Sequence, residues 1–263
     1  MKVVSFINEK GGTCKTTLAV NLGAYFALHK KKRVLLIDMD SQGHVGKSLG
    51  LDVRNAPITV FELLTDKTVS VADTLMSTRI ENLDIIAANK RLADFPQVVA
   101  RRADNTRLLS KRIEELAAGS EKYDFVFIDA PPSLGLITRN IIAASDSVVL
   151  PVALTYLSMD GCAEVVATIN QVRRDENLEN PELGLVVPTL YRPTNLANAI
   201  IVKLNTYFPE QLSKIVVSYN VQIDEAQSFG QTVWEYAPNS RGAAMLEKLA
   251  LELYRKVLAR KAV

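Results

Sequence analysis

Seven short apolar runs constrain this chain more than any other feature: VVSFI (3–7), RVLLID (33–38), LDIIAA (83–88), FVFID (125–129), SVVLPV (147–152), LGLVVP (183–188) and KIVVS (214–218). Such near-continuous apolar runs suit strands covered on both faces, as in a parallel sheet. Helical patterns fill most of the intervals, at 15–30, 104–118, 136–144, 157–174, 195–207 and 240–260. Alternation of this kind predicts an α/β fold with a doubly wound, mostly parallel sheet and helices on both faces. The 263 residues suffice for one large domain with a sizeable core, and 1–263 reads as a single domain. Segment 40–82 is less regular and is expected to make an excursion beside the functional edge of the sheet.

A formal net charge of +2 does not by itself demand a nucleic-acid partner. Cys14 and Cys162, the two cysteines, lack metal-ligand spacing and read as free thiols of a reducing compartment. No signal-like segment precedes the first run, and no apolar stretch approaches ~18–20 residues. These features predict a soluble, cytoplasmic protein without integral membrane association.

The stretch NEKGGTCKTT, 8–17, sits between the first apolar run and the first helical pattern. It approximates the phosphate-binding pattern G-x-x-x-x-G-K-[ST]. Glu9 and Cys14 replace the two outer glycines, and an extra lysine, Lys10, precedes Gly11 and Gly12. In such a loop, backbone N–H groups from Lys10 through Thr17, Thr13 included, cradle phosphates at the positive end of a helix. Lys15 is expected on the β/γ-phosphates, the Thr16 hydroxyl on Mg²⁺ and Thr17 near the α-phosphate. Cys14 is small enough to let the loop close. A thiol at a helix N-terminus also tends toward a lowered pKa, which opens a redox reading.

Two further runs end in carboxylates. VLLIDMDSQG (34–43) carries Asp38 and Asp40, which the two-residue period of a strand would point the same way. YDFVFIDAPPS (123–133) ends its apolar run at Asp129, the pattern of a strand that holds a magnesium water shell. Asp124 reads as a surface cap and His44 as a hydrogen-bonding loop residue. Ligands of open α/β sheets bind at the carboxyl edge where these carboxylates fall.

In this order, KGGTCKTT (10–17), DMDSQG (38–43), IDAPPSLG (128–135), VVLPV (148–152) and IDEAQSFGQTVWEYAPNSRGA (223–243) resemble the ParA/MinD family of P-loop ATPases over nearly the whole chain. The last stretch is similar to the ParA branch. The resemblance implies ATP and Mg²⁺ as cofactors. It implies a homodimer in which Lys10 reaches across to the partner's ATP. Catalysis would fall to Lys10, Lys15 and Asp40, with Asp40 orienting the attacking water and Thr16, Asp38 and Asp129 organising the metal. Hydrolysis would be slow and stimulated by a ParB-like or other cargo-linked activator. APPSLG, 130–135, would act as a switch with Gly135 as its pivot. Thr189, Leu190 and Ser218 are the expected adenine contacts.

ParA relatives bind DNA non-specifically as ATP dimers, which implies a nucleoid-associated protein that positions a chromosome, plasmid or protein assembly. The contacts would be Lys and Arg on phosphates. Pro193 and Gln222 stand where that branch often has arginine, and Arg192 is adjacent to the first. Arg101, Arg102, Arg107, Lys111 and Arg112 form one basic cluster; Arg255, Lys256, Arg260 and Lys261 form another. HKKKR, 29–33, suits the negative end of the first helix. Two alternatives remain at this point. One is a nucleotide-gated recruitment module that does not bind DNA. The other is a MinD-like membrane-surface ATPase, although only Lys261 to Val263 follow the last helical pattern.

Overall fold

The computed structural model describes residues 1–120, 122–155 and 158–259. Its strands are β1 (Lys2–Phe6), β2 (Val34–Asp38), β3 (Leu75–Ser77), β4 (Leu83–Ile86), β5 (Phe125–Asp129), β6 (Ser147–Ala153) and β7 (Glu182–Thr189). They form one sheet in the order β3-β4-β2-β5-β1-β6-β7, parallel throughout except for β3 against β4. The helices are α1 (Lys15–Lys30), α2 (His44–Ser48), α3 (Val60–Thr65), α4 (Val71–Thr74), α5 (Phe95–Val98), α6 (Leu108–Ala118), α7 (Leu136–Ala144), α8 (Ser158–Asp175), α9 (Asn195–Tyr207), α10 (Val221–Ser228), α11 (Val233–Tyr236) and α12 (Arg241–Leu253).

The central strands β2 and β5 are buried along their whole length, as their unbroken apolar sequences require. Alternate residues feed two cores. Val126 and Ile128 of β5 enter the layer under α3 and α6–α9, whereas Phe125 and Phe127 enter the layer under α1 and α10–α12. Helix α1 is apolar nearly all round because sheet and helices enclose it. A Cβ at Gly23 would lie 2.9 Å from Leu36 Cδ2, so glycine sets the approach of α1 to β2.

Six of the seven apolar runs are strands. Segment 214–218 is not: beside β7 and the residues after it lie only isolated bridges, Val186 to Leu212 and Tyr191 to Ser218. Val217 alone of the segment exchanges backbone bonds with that side, donating to Pro188 O at 2.8 Å and accepting from Tyr191 N at 3.1 Å, while Glu252 of α12 accepts from Ser213 Oγ at 2.6 Å and from Lys214 N at 3.0 Å and so interrupts the ladder. The irregular 40–82 region folds into three short helices and the edge strand β3. Asp124 accepts from Lys32 Nζ and the Arg33 backbone N, both at 3.0 Å, joining the end of α1 to the start of β5.

Helix α6 starts at Leu108 rather than at 104 because the side chain that satisfies its first N–H groups comes from α7. Asn140 Oδ1 accepts from Leu108 N at 3.0 Å and Leu109 N at 3.3 Å; its Nδ2 donates to Asn105 O at 2.7 Å and Leu136 O at 3.0 Å. Asn140 is fully buried, so truncation leaves these groups without water. Asn140→Ala is expected to cost about 2–4 kcal/mol and to lower Tm by roughly 5–10 °C. A thermal melt indistinguishable from wild type would exclude this capping role.

Candidate functional site

The chain leaves β1 through Asn8, which anchors the loop by donating to Pro151 O at 2.7 Å and accepting from Lys10 N at 2.9 Å. The loop then turns through left-handed residues, Gly12 at φ 71° and Cys14 at φ 69°, directly before α1. Glycine adopts this geometry without strain; cysteine does so at a cost. Beside Cys14, the buried Thr189 hydroxyl donates to Thr13 O at 3.2 Å. Burial, with Asp224 nearby, pushes the thiol up to about 11. This runs against the helix-terminus expectation of an acidified thiol: desolvation outweighs the lowering influence of Thr189 and the Lys15 charge.

Lys15 is buried, and its Nζ donates to Lys10 O at 3.1 Å. Burial lowers its pKa, opposed by Asp129 and Asp40. Lys10, in the loop ahead of α1, keeps its own amine at the surface, 3.4 Å from Thr155 Oγ1. Thr16 and Thr17 open α1. Thr16 Oγ1 donates to Asp129 Oδ2 at 2.5 Å, and Thr17 Oγ1 lies 3.2 Å from Gln227 Oε1 on α10.

Asp38 and Asp129 are register partners at the ends of neighbouring strands, and both are buried. Burial raises both pKa values, Asp129 to about 7; for Asp38 the charge on Asp129 adds to the effect. Asp38 accepts from Asp40 N and Val45 N, both at 3.0 Å. Asp129 Oδ1 is buried without a hydrogen-bond partner among the described residues. A lone acceptor beside a second buried carboxylate and a threonine hydroxyl is an oxygen donor set that fits a hard divalent cation. The strand ends at Asp38, and the Asp40 N–H folds back onto its carboxylate. Asp38 and Asp40 consequently do not continue one pleat, contrary to the two-residue expectation: Asp38 is enclosed, and Asp40 faces a cavity.

That cavity, about 580 Å³, is lined by the loop from Gly11 to Thr17, by Asp40 and His44, and by Lys47 and Ser48 of α2 opposite Gln227 and Ser228 of α10. Among the expected adenine residues, Thr189 is buried behind the loop, Leu190 takes a left-handed turn at φ 53°, and Ser218 donates its N–H to Met245 Sδ at 3.2 Å; none lines the cavity. Gln227 and Ser228 were not legible as site residues, although they lie in the same quoted stretch, 223–243. His44 is exposed on the cavity wall, while Asp38 and Asp40 make the backbone hydrogen bonds that fold its loop. Gly135 has an ordinary φ of −76°.

The basic clusters are partly neutralised. Asp104 binds both Arg102 and Lys111, which hold its carboxyl well below the usual range. Arg112 pairs with Glu115 and also donates to Leu63 O and Asp66 O. Lys256 pairs with Glu252 and donates to Glu210 O and Leu212 O. Arg192 lies over the Tyr219 ring, 5.0 Å from its centroid. Arg260 and Lys261 lie outside the described residues. Among the described residues, no helix is long and apolar enough to cross a membrane.

Residues 1–183 match the family model of an AAA domain. The chain is 36% identical over 252 residues to the sporulation initiation inhibitor protein Soj of Bacillus subtilis (strain 168), covering 96% of this chain and 98% of that protein. It is 35% identical over 253 residues to the chromosome-partitioning ATPase Soj of Treponema pallidum (strain Nichols), covering 96% of each. A variant of Cyanothece McdA, solved as its ATP complex, superposes with a TM-score of 0.84 at 22% identity over 100% of this chain and 98% of that one. The double-lysine loop, the carboxylate at the end of each central strand and this end-to-end kinship together place the chain in the ParA/MinD family of P-loop ATPases, among its Soj-like members.

Proposed function

We propose that the chain binds ATP with Mg²⁺, dimerises across two bound nucleotides, and hydrolyses ATP slowly until a ParB-like or other cargo-linked activator engages it. Residues 1–263 act as one ATPase unit. The ATP-bound dimer binds DNA non-specifically and positions a chromosome, plasmid or protein assembly on the nucleoid. The observation that carries this reading is the separation of the two loop lysines. Lys15 folds its amine inward onto the loop, whereas Lys10 keeps its amine at the surface. One lysine serves its own nucleotide and the other is available to a second subunit.

Phosphoryl transfer needs positioning and charge stabilisation more than a protein nucleophile. The loop N–H groups and Lys15 hold the phosphates, and Thr17 borders the α-phosphate. Thr16 and Asp129 hold Mg²⁺, with Asp38 behind them; the cation, when bound, neutralises phosphate charge. Asp38 also fixes the backbone at Asp40 and Val45, which orients the loop that presents Asp40. Asp40, facing the cavity, orients the attacking water. Cys14 serves by its size, with its thiol held protonated at neutral pH.

A recruitment module that does not bind DNA is the second reading. The internal ion pairs of Arg102, Lys111, Arg112 and Lys256 favour it. Arg101, Arg192 and Arg255, exposed, and the half-buried Arg107, all without a carboxylate partner among the described residues, are the groups of these clusters left to meet DNA phosphates.

Lys15→Ala is expected to abolish ATP binding in calorimetry. Lys10→Ala should bind ATP yet remain monomeric by light scattering. Asp40→Ala should bind ATP and accumulate as a dimer while turnover falls on the order of a hundredfold. Wild-type turnover in Asp40→Ala removes that carboxylate from the mechanism, and an ATP-dependent dimer in Lys10→Ala removes the trans role of that lysine.

With about four to six phosphates neutralised per dimer, log affinity for random duplex DNA should fall against log salt with a slope near −4 to −5. Charge reversal at Arg192 should flatten that slope and leave dimerisation intact. Filter binding across a salt series measures both. A protein that dimerises but shows no ATP-dependent retention at low salt fits the recruitment module instead.

A further inference from the structure

We infer that Arg79 is a positioning residue for nucleotide binding, clamping two walls of the cavity together. Arg79 lies in the turn between β3 and β4, outside every motif of the chain and outside the cavity lining. Its guanidinium reaches three segments. Nη1 donates to Leu49 O, Nη2 donates to Gly230 O at 2.6 Å, and Nε and Nη2 meet Glu235 at 2.6 and 3.0 Å. Leu49 directly follows Lys47 and Ser48, one wall of the cavity; Gly230 closely follows Gln227 and Ser228, the other.

Two glycines make the clamp possible. Gly50 and Gly230 both have left-handed φ, at 71° and 65°. A Cβ on Gly230 would lie 2.7 Å from Gly50 Cα, and one on Gly50 would lie 3.2 Å from both Arg79 Nη1 and Gly230 O. The walls therefore meet backbone to backbone, and the guanidinium bridges the carbonyls beside that contact. The α10 wall in turn reaches the phosphate loop, since Gln227 Oε1 accepts from Thr17 Oγ1. Arg79 is 40% exposed, so solvent screens its ion pair with Glu235 and the two carbonyl contacts matter more. A lysine cannot make this fork.

The inference rests on the proposed ATP reading, so wild type is titrated with Mg-ATP beside every variant. In Arg79→Ala, KM and Kd for ATP should rise roughly tenfold, the scale of losing charge-assisted contacts that hold a binding wall. Its kcat should stay within about twofold, because no reacting atom is touched. Arg79→Lys should move the same way and decides the matter if the alanine variant does not fold. Gly230→Ala should also raise KM, whereas Glu235→Gln, which removes the charge of the screened ion pair and keeps an oxygen for the Thr232 cap of α11, should not. A purely structural arginine would lower Tm and the active fraction with KM unchanged, and that result overturns the clamp. Unchanged ATP affinity in folded Arg79→Lys also overturns it, while absence of ATP binding in wild type refutes the nucleotide reading and the clamp with it.

Discussion

Two carboxylates held side by side out of water are the constraint on which the rest of this structure depends. Parallel pairing of β2 with β5 puts Asp38 opposite Asp129, and burial raises the pKa of both. Buried like charges are tolerated only with donors or cations around them. The fold supplies donors from three directions: the Thr16 hydroxyl to Asp129, and the Asp40 and Val45 N–H groups to Asp38. Lys15 stands close enough for Asp129 to raise its pKa against its own burial. One acceptor, Asp129 Oδ1, is left over, and the proposed cation role rests there.

Helix α1 transmits that constraint to the far side of the cavity. Asn21, in the second turn of the helix, donates to Thr17 O at 2.9 Å and accepts from Val233 N at 2.9 Å, while its backbone carbonyl accepts from Trp234 Nε1 at 2.7 Å. The first turn of α1, the phosphate loop and α11 are thereby one hydrogen-bonded unit. Arg79 closes the circuit from the opposite edge of the sheet, through Glu235 of α11 and Gly230. The result is a cavity whose floor is set by the strands and whose walls are set by helices distant in sequence.

Surface charge behaves differently from the site. The clustering of basic residues at 101–112 is real in sequence, but Asp104 and Glu115 take up three of its five cations. Paired groups release fewer counterions on meeting a polyanion than free ones, so a basic cluster in sequence overstates the attraction for DNA. Arginines that stand alone matter more in this chain than those that stand together.

The sequence by itself determined the layered α/β fold, six of the seven strands, the phosphate loop and the carboxylates that end β2 and β5. Those features are local: unbroken apolar runs, a glycine-lysine-threonine turn, and an acid at the end of a strand each carry their signal within a few residues. It missed the antiparallel edge β3, placed a strand at 214–218, and set Asp38 and Asp40 on one pleat. Tertiary structure decided these, because Glu252 on α12 takes the donors beside the expected strand and the Asp40 N–H turns back onto Asp38. It likewise decided that the Cys14 thiol is pushed up rather than acidified, since burial raises it more than Thr189 and Lys15 lower it. The walls formed by Ser48 and Gln227, and the reach of Arg79 to Gly230, required residues more than a hundred positions apart to meet, and no pattern within a short window encodes such a meeting.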